Sequence, residues 1–136
     1  MYLLDTKVVS ELRKPRPHGA VVAWVRKIDA RELYLSAMVI GELQRGIELT
    51  RRQDQEKAIQ LEYWVSQIVA TYQVLPLDAE VCREWARLMQ RRSKALTEDA
   101  LIAATAQVHG FSRGTRVTLP GGISMSSTPL RSRVRG

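Results

Sequence analysis

Cysteine occurs once in the 136 residues, at Cys82, and histidine only twice, at His18 and His109. A single cysteine excludes an intramolecular disulfide, and the three residues together offer no zinc-ligand spacing. That usage suits a reducing cytoplasm. No apolar run approaches the roughly 20 residues that cross a bilayer. The short apolar start Tyr2-Leu3-Leu4 is broken by Asp5 with no cleavage site behind it, so no signal peptide is predicted. No internal repeat is present. Acidic residues also run out early, since none comes after Asp99.

What remains is an ordinary globular composition, 45% hydrophobic and 26% charged, in a chain long enough for one domain with its own core. The net charge of +7 invites a nucleic-acid reading, but it is unevenly placed. Residues 1–110 carry 16 Lys and Arg against 14 Asp and Glu, a balance of +2. Residues 111–136 carry Arg113, Arg116, Arg131, Arg133 and Arg135 with no acid, a balance of +5. A basic tail of this kind either attracts phosphate or is a solvated surface.

The patterning alternates strands and helices. Tyr2 to Leu4 reads as a buried strand, and Thr6 to Arg13 as a helix stopped by Lys14-Pro15-Arg16-Pro17. Ala20 to Ile28 is helical, Leu33 to Ser36 a second strand, and Met38 to Leu49 a helix with Val39, Leu43 and Ile47 at helical spacing. Ala58 to Tyr72 reads as an amphipathic helix with Ile59, Tyr63, Val65, Ile68 and Val69 on its buried side. Val74 to Leu77 is a third strand. Asp78 is a good N-cap for a helix from Ala79 to Arg92, with Glu80 favourable to its dipole. Thr97 opens the last helix, which Gly110 ends. This order predicts an α/β fold: a parallel sheet covered on both faces by helices, with its ligand crevice beyond the carboxyl ends of the strands. From about Phe111 the pattern changes. Isolated apolar residues stand among Gly114, Pro120, Gly121, Gly122, Pro129 and five Ser or Thr between Thr118 and Thr128. No apolar run for a final strand is present, so a loosely ordered tail is expected.

Three acids stand out by position. Asp5 closes the first strand, Glu42 lies at the edge of the apolar face of its helix, and Asp99 leads the small apolar run Ala100-Leu101-Ile102-Ala103-Ala104. Each has a plain alternative. Asp5 can cap the next helix, Glu42 can be solvated, and either Glu98 or Asp99 can serve only the helix terminus. Gly41 and Gly46 are expected to admit close approach of other backbone to the Glu42 helix. Taken together, the three carboxylates suit a magnesium or manganese ion, which prefers oxygen donors. Such a site would hydrolyse a phosphodiester, with a metal-activated water in line with the scissile phosphate. Lys7, Arg13 and Lys14 are candidates for phosphate contacts, or simply solvated. A dehalogenase-type phosphatase also begins with an Asp after an apolar strand, but it needs a second acid two residues on, where Lys7 stands. A phosphoreceiver would need an acid cluster beside Asp5, which is absent.

Residues 1–110 resemble the PIN-domain ribonuclease toxins of type II toxin–antitoxin systems, the VapC family, and in particular its FitB-like branch. The resemblance rests on Tyr2-Leu3-Leu4-Asp5-Thr6 with Ser10-Glu11-Leu12, then Leu35-Ser36 leading to Gly41-Glu42-Leu43 and Arg45-Gly46-Ile47-Glu48. It continues through Leu75-Pro76-Leu77-Asp78 and Asp99-Ala100-Leu101-Ile102-Ala103-Ala104-Thr105-Ala106, closed by His109-Gly110. It implies a PIN-like domain over 1–110, magnesium-dependent endoribonuclease activity, a cognate antitoxin, a homodimer and a cytoplasmic location. Carried over, Asp5, Glu42 and Asp99 would be the catalytic and metal-site acids, and Thr6 would bond Asp5 or the phosphate.

Two departures count. Lys7 stands where the family usually has Asn. After His109-Gly110 the family continues with a strand, Thr-Arg-Asn, a fourth acid and a last strand, whereas here Thr115-Arg116 precedes Val117-Thr118-Leu119-Pro120 and no further acid occurs. Shifted by one nucleotide register, Ile123 to Pro129 is compatible with codons for Ile-Asp-Val-Phe-Asn-Pro, the expected last strand. The sequence thus predicts a PIN-like body, a missing last strand and an atypical basic tail over 111–136. The alternative function is an impaired protein that binds its antitoxin and cleaves poorly.

Overall fold

A computed structural model of the chain describes residues 2–17, 19–91, 97–111, 116–119 and 123–127. Strand β1 (Tyr2–Leu4) leads into helix α1 (Thr6–Arg13), where Lys14 turns to extended backbone, as the residue before Pro15 must. Helix α2 (Gly19–Lys27) and a short 3₁₀ turn (Ala30–Glu32) precede β2 (Leu33–Ser36). Helices α3 (Ala37–Arg51) and α4 (Gln55–Thr71) form a hairpin, after which come β3 (Gln73–Leu75), α5 (Ala79–Arg91) and α6 (Thr97–Val108). Two further strands, β4 (Arg116–Leu119) and β5 (Ile123–Ser127), complete a five-stranded sheet of order β3-β2-β1-β5-β4.

The first three strands are parallel, with Leu4 opposite Leu35 and Leu35 opposite Val74. Successive side chains of a strand point to opposite faces, yet Leu3 and Leu4 are both buried, as are Leu35 and Ser36. Only a sheet flanked by helices on both sides can do this. The main core joins Leu4, Val8, Val9, Val21, Leu33, Leu35, Val39 and Ile68, and a second cluster of Ile47, Ala58, Leu61 and Val65 seals α3 on α4. Helix caps sit where the sequence places them: Asp78 Oδ1 accepts from Val81 N at 3.0 Å, and Gly110 ends α6 at φ 77°. Phe111 N then donates back to Ala106 O at 2.7 Å, and its ring packs edge-on against Tyr34.

Three expectations are corrected. The sheet is not wholly parallel and the last strand is not missing: β5 runs antiparallel to β1, pairing Tyr2 with Ser127, and β4 pairs antiparallel with β5. No continuous apolar run is needed, because the register sets Val117 opposite Met125 and Leu119 opposite Ile123, an alternating pattern that a two-sided ladder accepts. The rest of the expected loose tail, residues 112–115, 120–122 and 128–136, lies outside the described residues. Second, α4 buries Ala58, Leu61, Val65 and Ile68, while Ile59, Tyr63 and Val69 face solvent. Apolar residues ring this helix, so periodicity alone does not choose the side that α3 and the sheet cover. Third, a Cβ at Gly41 would meet only the tip of Met38 and one at Gly46 nothing within 4 Å, so neither glycine admits another backbone.

Candidate metal centre

Each predicted acid sits at the start of a helix or close to it. Asp5 leaves β1 as the N-cap of α1, its Oδ1 accepting from Val8 N at 3.0 Å. Glu42 lies on α3, which Ser36 caps by accepting from Met38 N at 3.1 Å. Asp99 lies in the first turn of α6 beside Glu98. Parallel strands β1 and β2 deliver α1 and α3 to the same end of the sheet, and contacts of α6 with α3 and β2 bring its N-terminus there too. The positive ends of the α1 and α6 dipoles favour the negative groups gathered there.

The structure brings Glu42 and Asp99 to one cleft, which Asp5 does not line. Burial pushes the Glu42 carboxyl above the ordinary carboxylate range. Thr6 opposes this by favouring the charged form, and the charges of Asp99, Glu98 and Asp5 push it further up. Thr6 faces Glu42 without closing a hydrogen bond of good geometry: Thr6 Oγ1 and Glu42 Oε1 are both buried and neither has a partner. Of the two partners expected for Thr6, Asp5 or a phosphate, the first is not bonded by its hydroxyl. Glu42, Asp99, Glu98 and Arg45 line one cleft of about 370 Å³. Arg45 Nη1 stands 3.6 Å from Glu98 Oε1 at its mouth. Lys7, Arg13 and Lys14 are all exposed, and Lys14 is paired with Glu11.

Among the described residues no three His, Cys, Asp or Glu side chains are drawn up round one point at ligand distance. Glu42, Glu98 and Asp99 line the cleft without closing on one point, and Asp5 stands outside its lining. Like charges hold each other apart, and Asp5 is engaged at the α1 cap. The donor set still fits a hard divalent ion. It is all oxygen, it is spread over three segments, and Glu42 Oε1 is a buried acceptor that lacks a donor. Sequence reasoning missed two members. Arg45 is three residues beyond Glu42 and so shares its helix face, a signal present in the spacing. The sequence leaves open which of Glu98 and Asp99 serves only the helix terminus, and in the structure both reach the cleft.

A mixed α/β sheet that gathers carboxylates from a strand end and two helices defines the class, and comparison with known proteins agrees. The model of the PIN domain matches residues 2–116. VapC ribonuclease Y4jK of Sinorhizobium fredii is 39% identical over 126 residues, covering 88% of this chain and 89% of that protein. Toxin FitB of Neisseria gonorrhoeae is 35% identical over 127 residues, covering 87% and 88%. The crystal structure of FitAcB from the same organism superposes with a TM-score of 0.69 at 33% identity, over 81% of this chain and 83% of that one. The chain belongs to the VapC family of PIN-domain toxins.

Proposed function

We propose that this chain is the toxin of a toxin–antitoxin pair and acts as a magnesium-dependent endoribonuclease, with manganese as an alternative ion. The observation that carries the reading is the cleft lined by Glu42, Glu98 and Asp99, in which Glu42 Oε1 is buried without a hydrogen-bond donor. Relatives that bear the name ribonuclease, and a similar toxin solved as FitAcB, support it. Asp5, Glu42 and Asp99 would hold the ion. When bound, it supplies an activated water for attack on the phosphodiester and charge to offset the departing oxygen. The chain's own groups orient and exclude. The Asp5 carboxylate is fixed by the α1 cap, Thr6 faces the Glu42 carboxyl, and Arg45 offers a cation at the cleft. RNA as substrate, an antitoxin partner, a homodimer and a cytoplasmic location belong to the same proposal. No helix among the described residues is long and apolar enough to cross a membrane.

A second reading, an antitoxin-binding protein that cleaves poorly, rests on the absence of any acid after Asp99. One experiment separates the two. RNA is incubated with the chain and magnesium or manganese, with and without a chelator, beside Asp5→Asn and Asp99→Asn. Cleavage lost with chelator and in both variants supports the nuclease. Antitoxin binding without cleavage supports the second reading. Cleavage that survives chelation overturns the metal mechanism.

A further inference from the structure

We propose that Glu98 is a fourth carboxylate of this metal site, and that Arg45 is the counter-ion it exchanges for the metal. The inference rests on the metal reading above. A hard divalent ion takes several oxygen ligands, and each further carboxylate at the cleft adds to the negative charge that holds it. No acid comes after Asp99 in the sequence, so a further carboxylate is sought on the elements that already line the cleft. Glu98 is where it is needed: it lines the same cleft as Glu42 and Asp99. Within that cleft Glu42 Oε1 is a buried acceptor that closes no hydrogen bond, which leaves it open to a cation.

The Arg45 contact is weak enough to be exchanged. Nη1 is 3.6 Å from the Glu98 oxygen, beyond hydrogen-bond length, and the Arg45 side chain is 76% exposed. Exposed pairs of this kind contribute little to stability. Arg45 also stands three residues from Glu42 on α3, so both residues face the same cleft. A divalent ion entering the cleft takes Glu98 and frees Arg45 at the mouth. The plain alternative gives Glu98 only two tasks, favouring the α6 dipole and pairing with Arg45.

The two accounts predict different signs. Manganese binding to the full chain is measured by titration calorimetry for the unaltered protein, Glu98→Gln, Glu98→Asp, Arg45→Met and Asp99→Asn. Melting in chelator checks that each variant is folded. We expect Glu98→Gln to weaken manganese binding at least tenfold or to remove one equivalent of it. Glu98→Asp should recover part of the loss, and Arg45→Met should tighten binding several-fold by removing the competing cation. If Glu98→Gln and Arg45→Met shift melting alike and leave affinity within twofold, Glu98 is only the partner of Arg45 and the proposal is overturned. If the unaltered chain binds no manganese and Asp99→Asn changes nothing, the metal reading itself falls and takes this inference with it. Loss of affinity in Asp99→Asn but not in Glu98→Gln keeps the metal reading and rejects Glu98 alone.

Discussion

Ser36 Oγ and Thr105 Oγ1 lie 3.0 Å apart, both fully buried, although 69 residues separate them in the sequence. Their protons can be assigned by counting. Thr105 Oγ1 donates its only proton to Leu101 O at 2.8 Å, so the proton between the two hydroxyls belongs to Ser36. Ser36 Oγ meanwhile accepts from Met38 N. The result is a single directed chain from the α3 backbone through two side chains to the α6 backbone. It ties the cap of the helix that carries Glu42 to the helix that carries Glu98 and Asp99.

Breaking this chain at one end should cost more than its hydrogen bonds suggest. Ser36→Ala removes the α3 cap and leaves Thr105 short of a donor, and Thr105→Val leaves the buried Ser36 proton unmatched. Each should destabilise the chain by about 1–3 kcal/mol in urea denaturation. The double variant should cost clearly less than the sum, because nothing unmatched then remains between the helices. Strict additivity would show that the two hydroxyls are not coupled.

Asp5 has two tasks that substitution can separate. Asn caps a helix about as well as Asp, whereas Ala does not. Asp5→Asn should keep the melting temperature and lose metal binding. Asp5→Ala should lose metal binding and also about 1 kcal/mol of stability. A large drop in melting temperature for Asp5→Asn, with metal binding kept, would leave the residue as a cap and nothing more.

Glu42 should make the metal-free protein prefer acid. Its folded pKa is raised, chiefly by burial and then by Asp99, Glu98 and Asp5. The folded state therefore holds this proton more tightly than the unfolded chain. The associated stability is full below the unfolded value of roughly 4.3 and is lost as pH rises through the folded one. In chelator, Glu42→Gln should melt higher than the unaltered protein at pH 7, and the two should converge near pH 4. A variant that melts lower at pH 7 would mean that the carboxylate is stabilised by a partner in the fold.

The β4–β5 hairpin should protect the sheet. Strand β5 covers the edge of β1, the strand that ends beside Asp5. A chain ending at Phe111 would present that edge to solvent, an invitation to edge-to-edge association. Such a truncation should sediment as aggregates at concentrations where the full chain does not. Equal solubility would show that β1 needs no cover. A tail re-encoded in the shifted reading frame provides the companion test, with tighter metal binding and faster RNA cleavage expected.

Much of this protein is legible in its residues because the signals are local. The alternation of short apolar strands with periodic helices specifies an α/β sheet. Asp5 caps α1, Asp78 caps α5, and Gly110 takes the left-handed turn that ends α6. The three acids could be chosen because a carboxylate at a strand end or beside an apolar face has no easy place in a core. The surfaces that meet are left open by the sequence. Apolar residues surround α4, and only packing against α3 and the sheet makes Leu61 a core residue and leaves Tyr63 68% exposed. The strands β4 and β5 contain no apolar run, and only the backbone pairing of the sheet defines them, with Val117 opposite Met125 and Leu119 opposite Ile123. Glu98 and Asp99 are neighbours of like charge, and the sequence cannot tell a helix-terminus acid from a cleft acid; the approach of α6 to α3 places both. Ser36 and Thr105 read as an ordinary cap and an ordinary helical threonine. Their bond exists because two helices far apart in the chain are pressed together where water is absent, and there an unmatched hydroxyl is too costly to leave.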